Sequence, residues 1–149
     1  MTALYLDMNI YNRPFDDQSQ MRIRLETTAV MMIFALVEQG LASAKWSFVL
    51  EYENGRNPFS ERRGFVKHLA SICSETIEPD PAIRELARCL AEEHGVRGRD
   101  ALHIACAVHA RCDYLVTCDD RLVRQGRRLR REDVLSLRIA GPIDVLQEV

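Results

Sequence analysis

Three aspartates stand where a lone carboxylate would be costly: Asp7, Asp100 and Asp119. Asp7 ends an apolar run, Ala3 to Asp7, that reads as a central parallel strand. Asp119 and Asp120 follow a second buried run, Tyr114 to Thr117. Asp100 precedes Ala101-Leu102 and an apolar face of Ile104, Ala105 and Val108, so it opens a helix. A carboxylate at a buried strand end needs a partner or a cation. Clustered carboxylates repel, and without a counter-ion their pKa values rise. An oxygen-only donor set suits Mg2+ or Mn2+. Two such ions about 4 Å apart can activate water and stabilise the leaving oxygen of a phosphodiester. Helix capping alone accounts for Asp100 taken singly. Three acids at element ends in one chain favour a shared site. No Gly-rich cradle is present, which argues against a nucleoside-triphosphate site.

The remaining elements must carry these acids to one place. A wide-faced helix runs from Arg22 to Gln39, with Ile23, Val30, Met31, Phe34 and Val37 inward and Gly40 as its stop. Before it lies a polar loop, YNRPFDDQSQ. Ala44 to Ser47 is a candidate second strand, and Ser47 can cap a helix from Phe48 to Asn54 that Gly55 ends. Ser60 to Ile72 reads as a helix, and Glu75 to Glu78 as a short strand. Asp80-Pro81 is a strong helix start, closed by His94-Gly95. A turn at Arg111–Asp113 separates the Asp100 helix from its strand. A basic helix follows from about Arg121, then a short strand near Val134 to Arg138 and a last turn after Gly141-Pro142. Strands alternating with helices give an α/β chain with a central, mainly parallel sheet. The carboxyl edge of such a sheet is where ligands bind.

The 149 residues fit one domain, 1–149, with 47% apolar content for a core. Net charge is −2, so no global basic field announces a polyanion. The basic residues are eighteen Arg against two Lys, and six of the Arg crowd into Arg121 to Arg131. The five cysteines include no CxxC pair, which points to a reduced, cytoplasmic protein. Core packing explains Cys106, Cys112 and Cys118 better than zinc, because their spacing matches no zinc pattern. The longest apolar run, Ala29 to Val37, is too short to span a bilayer. The N-terminus lacks a basic region and carries Asp7, against a signal peptide.

Taken together, these segments resemble the PIN-domain family of ribonucleases, which includes the VapC toxins of toxin–antitoxin pairs. LYLDMNIY resembles the family's first strand with its Asp and the following D-x-N. DALHIACAV resembles the D-A-x-x-x-A helix, and DYLVTCDD the strand with its T-x-D. The resemblance implies a three-layer α/β/α fold and hydrolysis of RNA phosphodiesters with Mg2+ or Mn2+. It makes Asp7, Asp100 and Asp119 metal ligands. It also implies a glutamate six residues beyond a serine, which Ser47 and Glu53 satisfy. Glu51 competes for that role. At about 100° per residue Glu53 lies between Val49 and Leu50, while Glu51 projects away from Val49, so Glu53 is preferred. Two positions depart from the pattern: Met8 replaces a Thr or Ser, and Arg121 stands where many members carry another acid. Asp120 could substitute for that acid or simply cap a helix. One firm metal site and a weaker second follow.

Several neighbours have two readings. Asn9 and Thr117 could orient the Asp ligands or serve turn chemistry. Arg13 could meet a substrate phosphate or form a surface ion pair, and His103, one turn after Asp100, could approach a substrate phosphate or pack beside the site as a structural histidine, the preferred reading. The Arg121–Arg131 cluster is an RNA backbone track or a solvated helix face. By the resemblance, helices near the long one form homodimer and antitoxin surfaces. A second hypothesis is a catalytically weak PIN-like module that binds RNA or a protein partner. A receiver-type domain is a poor fit, because only Lys45 and Lys67 could serve as its lysine.

Overall fold

The structure is a computed structural model describing all residues from Met1 to Val149. Its centre is a five-stranded sheet ordered β3-β2-β1-β4-β5, parallel throughout. The strands are β1 (Thr2–Leu6), β2 (Ala42–Ser47), β3 (Glu75–Ile77), β4 (Tyr114–Val116) and β5 (Arg138–Ala140). Eight α-helices flank it: α1 (Met8–Asn12), α2 (Met21–Glu38), α3 (Phe48–Gly55), α4 (Ser60–Ala70), α5 (Pro81–His94), α6 (Gly98–His109), α7 (Asp120–Arg131) and α8 (Pro142–Glu148). No helix is long and apolar enough to cross a membrane.

The strand order reverses beside β1. The chain steps from β1 outward through β2 to β3, then returns to lay β4 and β5 on the other side. That reversal opens a crevice at the carboxyl ends of β1 and β4. The central strands are apolar on both faces because helices cover both: Leu4, Tyr5, Leu6, Leu115 and Val116 are all buried. Registers Leu4↔Tyr114 and Leu6↔Val116 set the ends of β1 and β4 level, so Asp7 and Thr117 leave the sheet together.

Local chemistry starts the flanking helices as expected. Ser47 Oγ accepts from Leu50 N at 3.1 Å, capping α3. Asp80 Oδ1 accepts from Ala82 N at 2.8 Å, with Pro81 opening α5 and Gly95 (φ 69°) closing it. Cys106, Cys112 and Cys118 are buried in the core, and all five cysteines are free.

Elsewhere the boundaries differ for identifiable reasons. The polar stretch after Asp7 is α1 followed by a 3-10 turn at Arg13–Phe15. Five residues are too few to show periodicity, although Ile10 and Tyr11 are buried. Helix α6 begins at Gly98, so Asp100 sits inside its first turn rather than at the cap. The last strand is Arg138–Ala140, not Val134 to Arg138. Leu135 and Leu137 are buried by packing, while Val134 N and Leu135 N return to Leu129 O after Asp133 turns left-handed (φ 59°). The final turn is a helix, α8, opened by Pro142.

Candidate active site

Asp7, Glu53, Asp100 and Asp119 all line one open cleft at the carboxyl edge of the sheet. Each arrives by a different route. Asp7 follows β1 and caps α1, its Oδ1 accepting from Met8 N at 2.8 Å. Glu53 comes from α3, whose start is fixed by the Ser47 cap. Asp100 rides the first turn of α6. Asp119 caps α7, its Oδ1 accepting from Arg121 N at 2.9 Å and Leu122 N at 3.4 Å. The cap is therefore Asp119 and not Asp120.

A small polar frame holds two of the acids. Thr117 Oγ1 donates to Asp7 Oδ2 at 2.8 Å and accepts from Asp119 N at 3.1 Å. Asn9 Nδ2 donates to Asp7 Oδ2 at 3.2 Å, and Asn9 Oδ1 accepts from Cys118 N at 3.0 Å. Both side chains thus join the loop after β1 to the loop after β4. Burial raises the pKa of the Asp7 carboxyl, opposed by His103 and by the Thr117 and Met8 hydrogen bonds.

Beneath the acids lies a buried histidine. His103 Nε2 is 2.8 Å from Glu53 Oε1 and 3.9 Å from Asp7 Oδ1. The Glu53 contact is off the line of a directed hydrogen bond, leaving both atoms short of an aligned partner. Nδ1 is 2.6 Å from Tyr5 Oη, which is 2.8 Å from Ser47 Oγ. Burial lowers the His103 pKa, but Glu53 and Asp7 more than offset it and the net shift is upward. The periodicity of α6 identifies His103 as inward-facing, yet nothing local in the sequence reveals its partner on α3.

Arginines supply the rest of the counter-charge. Arg99 Nε lies 3.2 Å from Glu53 Oε2, and Arg121 Nη2 lies 3.5 Å from Asp100 Oδ2. The sequence marks Arg121 as a departure from an acidic pattern and as the start of the basic helix, not as a partner of Asp100. Its contact with Asp100 depends on how α6 and α7 are set against the sheet.

Other residues fall outside this arrangement. Asp120 turns away and pairs with Arg22, with Nη1 and Nη2 each 2.7 Å from a carboxylate oxygen. Arg13 forms ion pairs as expected, with the part-exposed Asp16 at 2.8 Å and with the buried Glu26 at 3.1 Å, the second of them enclosed. Glu51 is exposed and lines a separate hollow with Arg63 and Lys67. From the basic helix, Arg121 reaches the cleft, whereas Arg127, Arg130 and Arg131 line a hollow beside β5 and α8.

The donor chemistry of the cleft fits a hard divalent cation. Its acids offer only oxygen, and the buried Glu53 Oε1 lacks an aligned partner. Their oxygens are spread rather than gathered at a point. The three-residue group whose donor atoms lie within 4.8 Å of one another is Cys89, Glu93 and His94, on helix α5 and outside the cleft lining.

The PIN domain family model matches residues 5–128. Comparison with curated proteins finds no match. Among solved structures, VapBC2 from Rickettsia felis, bound to a DNA fragment from their promoter, superposes with a TM-score of 0.61 at 14% identity, covering 94% of this chain and 98% of that one. FitAcB from Neisseria gonorrhoeae superposes with a TM-score of 0.59 at 14% identity, covering 93% and 97%. At that identity the two structures share the fold. The family follows from the sequence match over most of the chain: this protein belongs to the PIN-domain family.

Proposed function

We propose that the protein is a metal-dependent ribonuclease, with Asp7, Asp100 and Asp119, helped by Glu53, holding Mg2+ or Mn2+. The observation that carries this reading is the meeting of four acids from four chain segments in one cleft. Membership of a family of nucleases supports hydrolysis of nucleic acid as the reaction class. When bound, the cation supplies Lewis acidity toward a phosphodiester and lowers the pKa of water.

The chain's own groups prepare the site. Thr117 and Asn9 fix the Asp7 carboxylate in place. His103 balances charge below Asp7 and Glu53. Arg99 and Arg121 hold Glu53 and Asp100 until a stronger cation competes for them. No covalent enzyme intermediate is required.

The wider proposal is a single PIN unit over 1–149, acting in the cytoplasm as the toxin of a toxin–antitoxin pair or as a stand-alone nuclease. The VapBC2 and FitAcB neighbours support an antitoxin partner, and a homodimer belongs to the same reading. Five free cysteines support a reducing compartment.

Incubation of purified protein with structured RNAs and Mn2+ tests the activity. Cleavage abolished by EDTA and by Asp100→Asn is the expected result. Cleavage that survives either control overturns the proposal. A second reading, a weak PIN-like module that binds RNA or protein without cutting, is favoured by Arg121 lying against Asp100. RNA binding with no cleavage in any divalent metal would select it.

A further inference from the structure

Beside the acids, the corner where α3 passes into α4 presents a different chemistry. Tyr52 and Phe59 are 64% and 57% exposed, and both line the acid cleft. Large rings usually bury their faces, so two exposed rings on one polar cleft offer flat surfaces on which a planar group can stack. Each ring also carries an arginine. The Arg56 guanidinium carbon lies 5.6 Å from the Tyr52 ring centre, and its Nη1 donates to the Tyr52 hydroxyl at 3.2 Å. The Arg62 guanidinium carbon lies 4.7 Å from the Phe59 ring centre and 5.5 Å from that of Phe15. Arg62 Nη2 also donates to Phe15 O at 3.2 Å.

The two arginines differ in their pairing from the others that line the acids. Arg99 and Arg121 are spent on Glu53 and Asp100, whereas Arg56 and Arg62 make no carboxylate ion pair. The turn between α3 and α4, which separates them, is braced from within. Asn57 Oδ1 accepts from Phe59 N at 3.1 Å, and Asn57 O accepts from Arg63 Nη1 at 2.7 Å. Asn54 Nδ2 donates to Arg63 O at 3.2 Å, fastening α3 to α4.

We propose that Tyr52 and Phe59 form a base-stacking subsite, with Arg56 and Arg62 binding the phosphates of the same strand. The inference rests on the RNA reading of the cleft and names the groups that hold the substrate there. An acidic floor repels a polyanion, so binding must come from cations and ring faces at the rim. A cleft of about 990 Å³ leaves room for nucleotides beside the acids. In a duplex the base faces are covered by their neighbours, so this rim selects unpaired nucleotides.

The test is equilibrium binding of a short single-stranded RNA containing 2-aminopurine, read by anisotropy and base fluorescence in EDTA. Tyr52→Ala and Phe59→Ala should each weaken binding about tenfold and relieve the quenching of the stacked base. Phe59→Trp should keep both signals. Arg56→Gln and Arg62→Gln should each lower the salt dependence of binding by about one phosphate contact. Both rings are exposed, so thermal melting of the alanine variants should match the parent. Alanine variants that bind within twofold of the parent, or a duplex that binds as tightly as the single strand, would overturn the subsite. Stacking without metal-dependent cleavage would keep the subsite and remove the nuclease. Metal-dependent cleavage with undiminished binding in the alanine variants would do the reverse.

Discussion

His103 Nε2 lies 2.8 Å from Glu53 Oε1, joining the buried face of α6 to the acid that α3 brings into the cleft. His103 is 1% exposed, so the pair has little water to replace a lost partner. Removing one member of a buried pair leaves the other uncompensated. His103→Gln is expected to lower unfolding stability by about 3 kcal/mol, measured by urea denaturation. Adding Glu53→Gln should recover part of the loss, whereas fully additive losses would show that the two side chains do not interact.

Thr117 bonds to both Asp7 Oδ2 and Asp119 N. Thr117→Val keeps the shape and removes the hydroxyl. Metal affinity or activity should fall roughly 10- to 100-fold, the usual effect of losing a group that orients a ligand. Titration with Mn2+ alongside the cleavage assay checks this, and unchanged values in both would remove Thr117 from the site.

Arg121 Nη2 lies 3.5 Å from Asp100 Oδ2, so under the proposed reading it would compete with a cation for that carboxylate. The arginine is partly exposed, so its hold is weak. Arg121→Gln should tighten Mn2+ binding by about two- to fivefold, read by calorimetry. Weaker binding in this variant would mean that Arg121 supports the site rather than competing for it.

Asp120 pairs with Arg22 through two short contacts, and this holds its carboxyl below the ordinary aspartate pKa. A depressed folded-state pKa stabilises the fold above the unfolded pKa. That contribution is lost as pH falls through the depressed value. NMR titration should find Asp120 titrating low, and Arg22→Gln should return it toward normal.

Gly126 in α7 lies so close to β5 that an added Cβ would fall 2.6 Å from Ile139 Cβ. Gly126→Ala should destabilise the protein by about 1–3 kcal/mol, through overpacking rather than backbone strain. A thermal melt that matches the parent would show that α7 can move away from the sheet.

Which acids stand at element ends can be read from the chain alone. Chain-local rules suffice there: an apolar run stopping at Asp7, another stopping short of Asp119, and a helical period beginning at Asp100. The Ser47 cap and the choice of Glu53 as the inward-facing glutamate follow from the same local reasoning. What escaped was short or relational. Helix α1 has too few residues to display a period, and β5 was displaced by buried leucines that mimic a strand.

The polar and charged partners emerge only in the assembled fold. Arg121 meets Asp100 across 21 residues of sequence, Arg22 meets Asp120 across 98, and Tyr5 meets His103 across 98. Such pairings depend on strand order and on the rotation of each helix against the sheet. The pairing of Asp120 with Arg22, and of Arg13 with Asp16 and Glu26, took both residues away from the cleft. Periodicity reports which side of a helix faces inward, because burial acts on every turn alike. It carries no record of which charged group from another segment will stand opposite, because that contact forms only once the sheet is assembled.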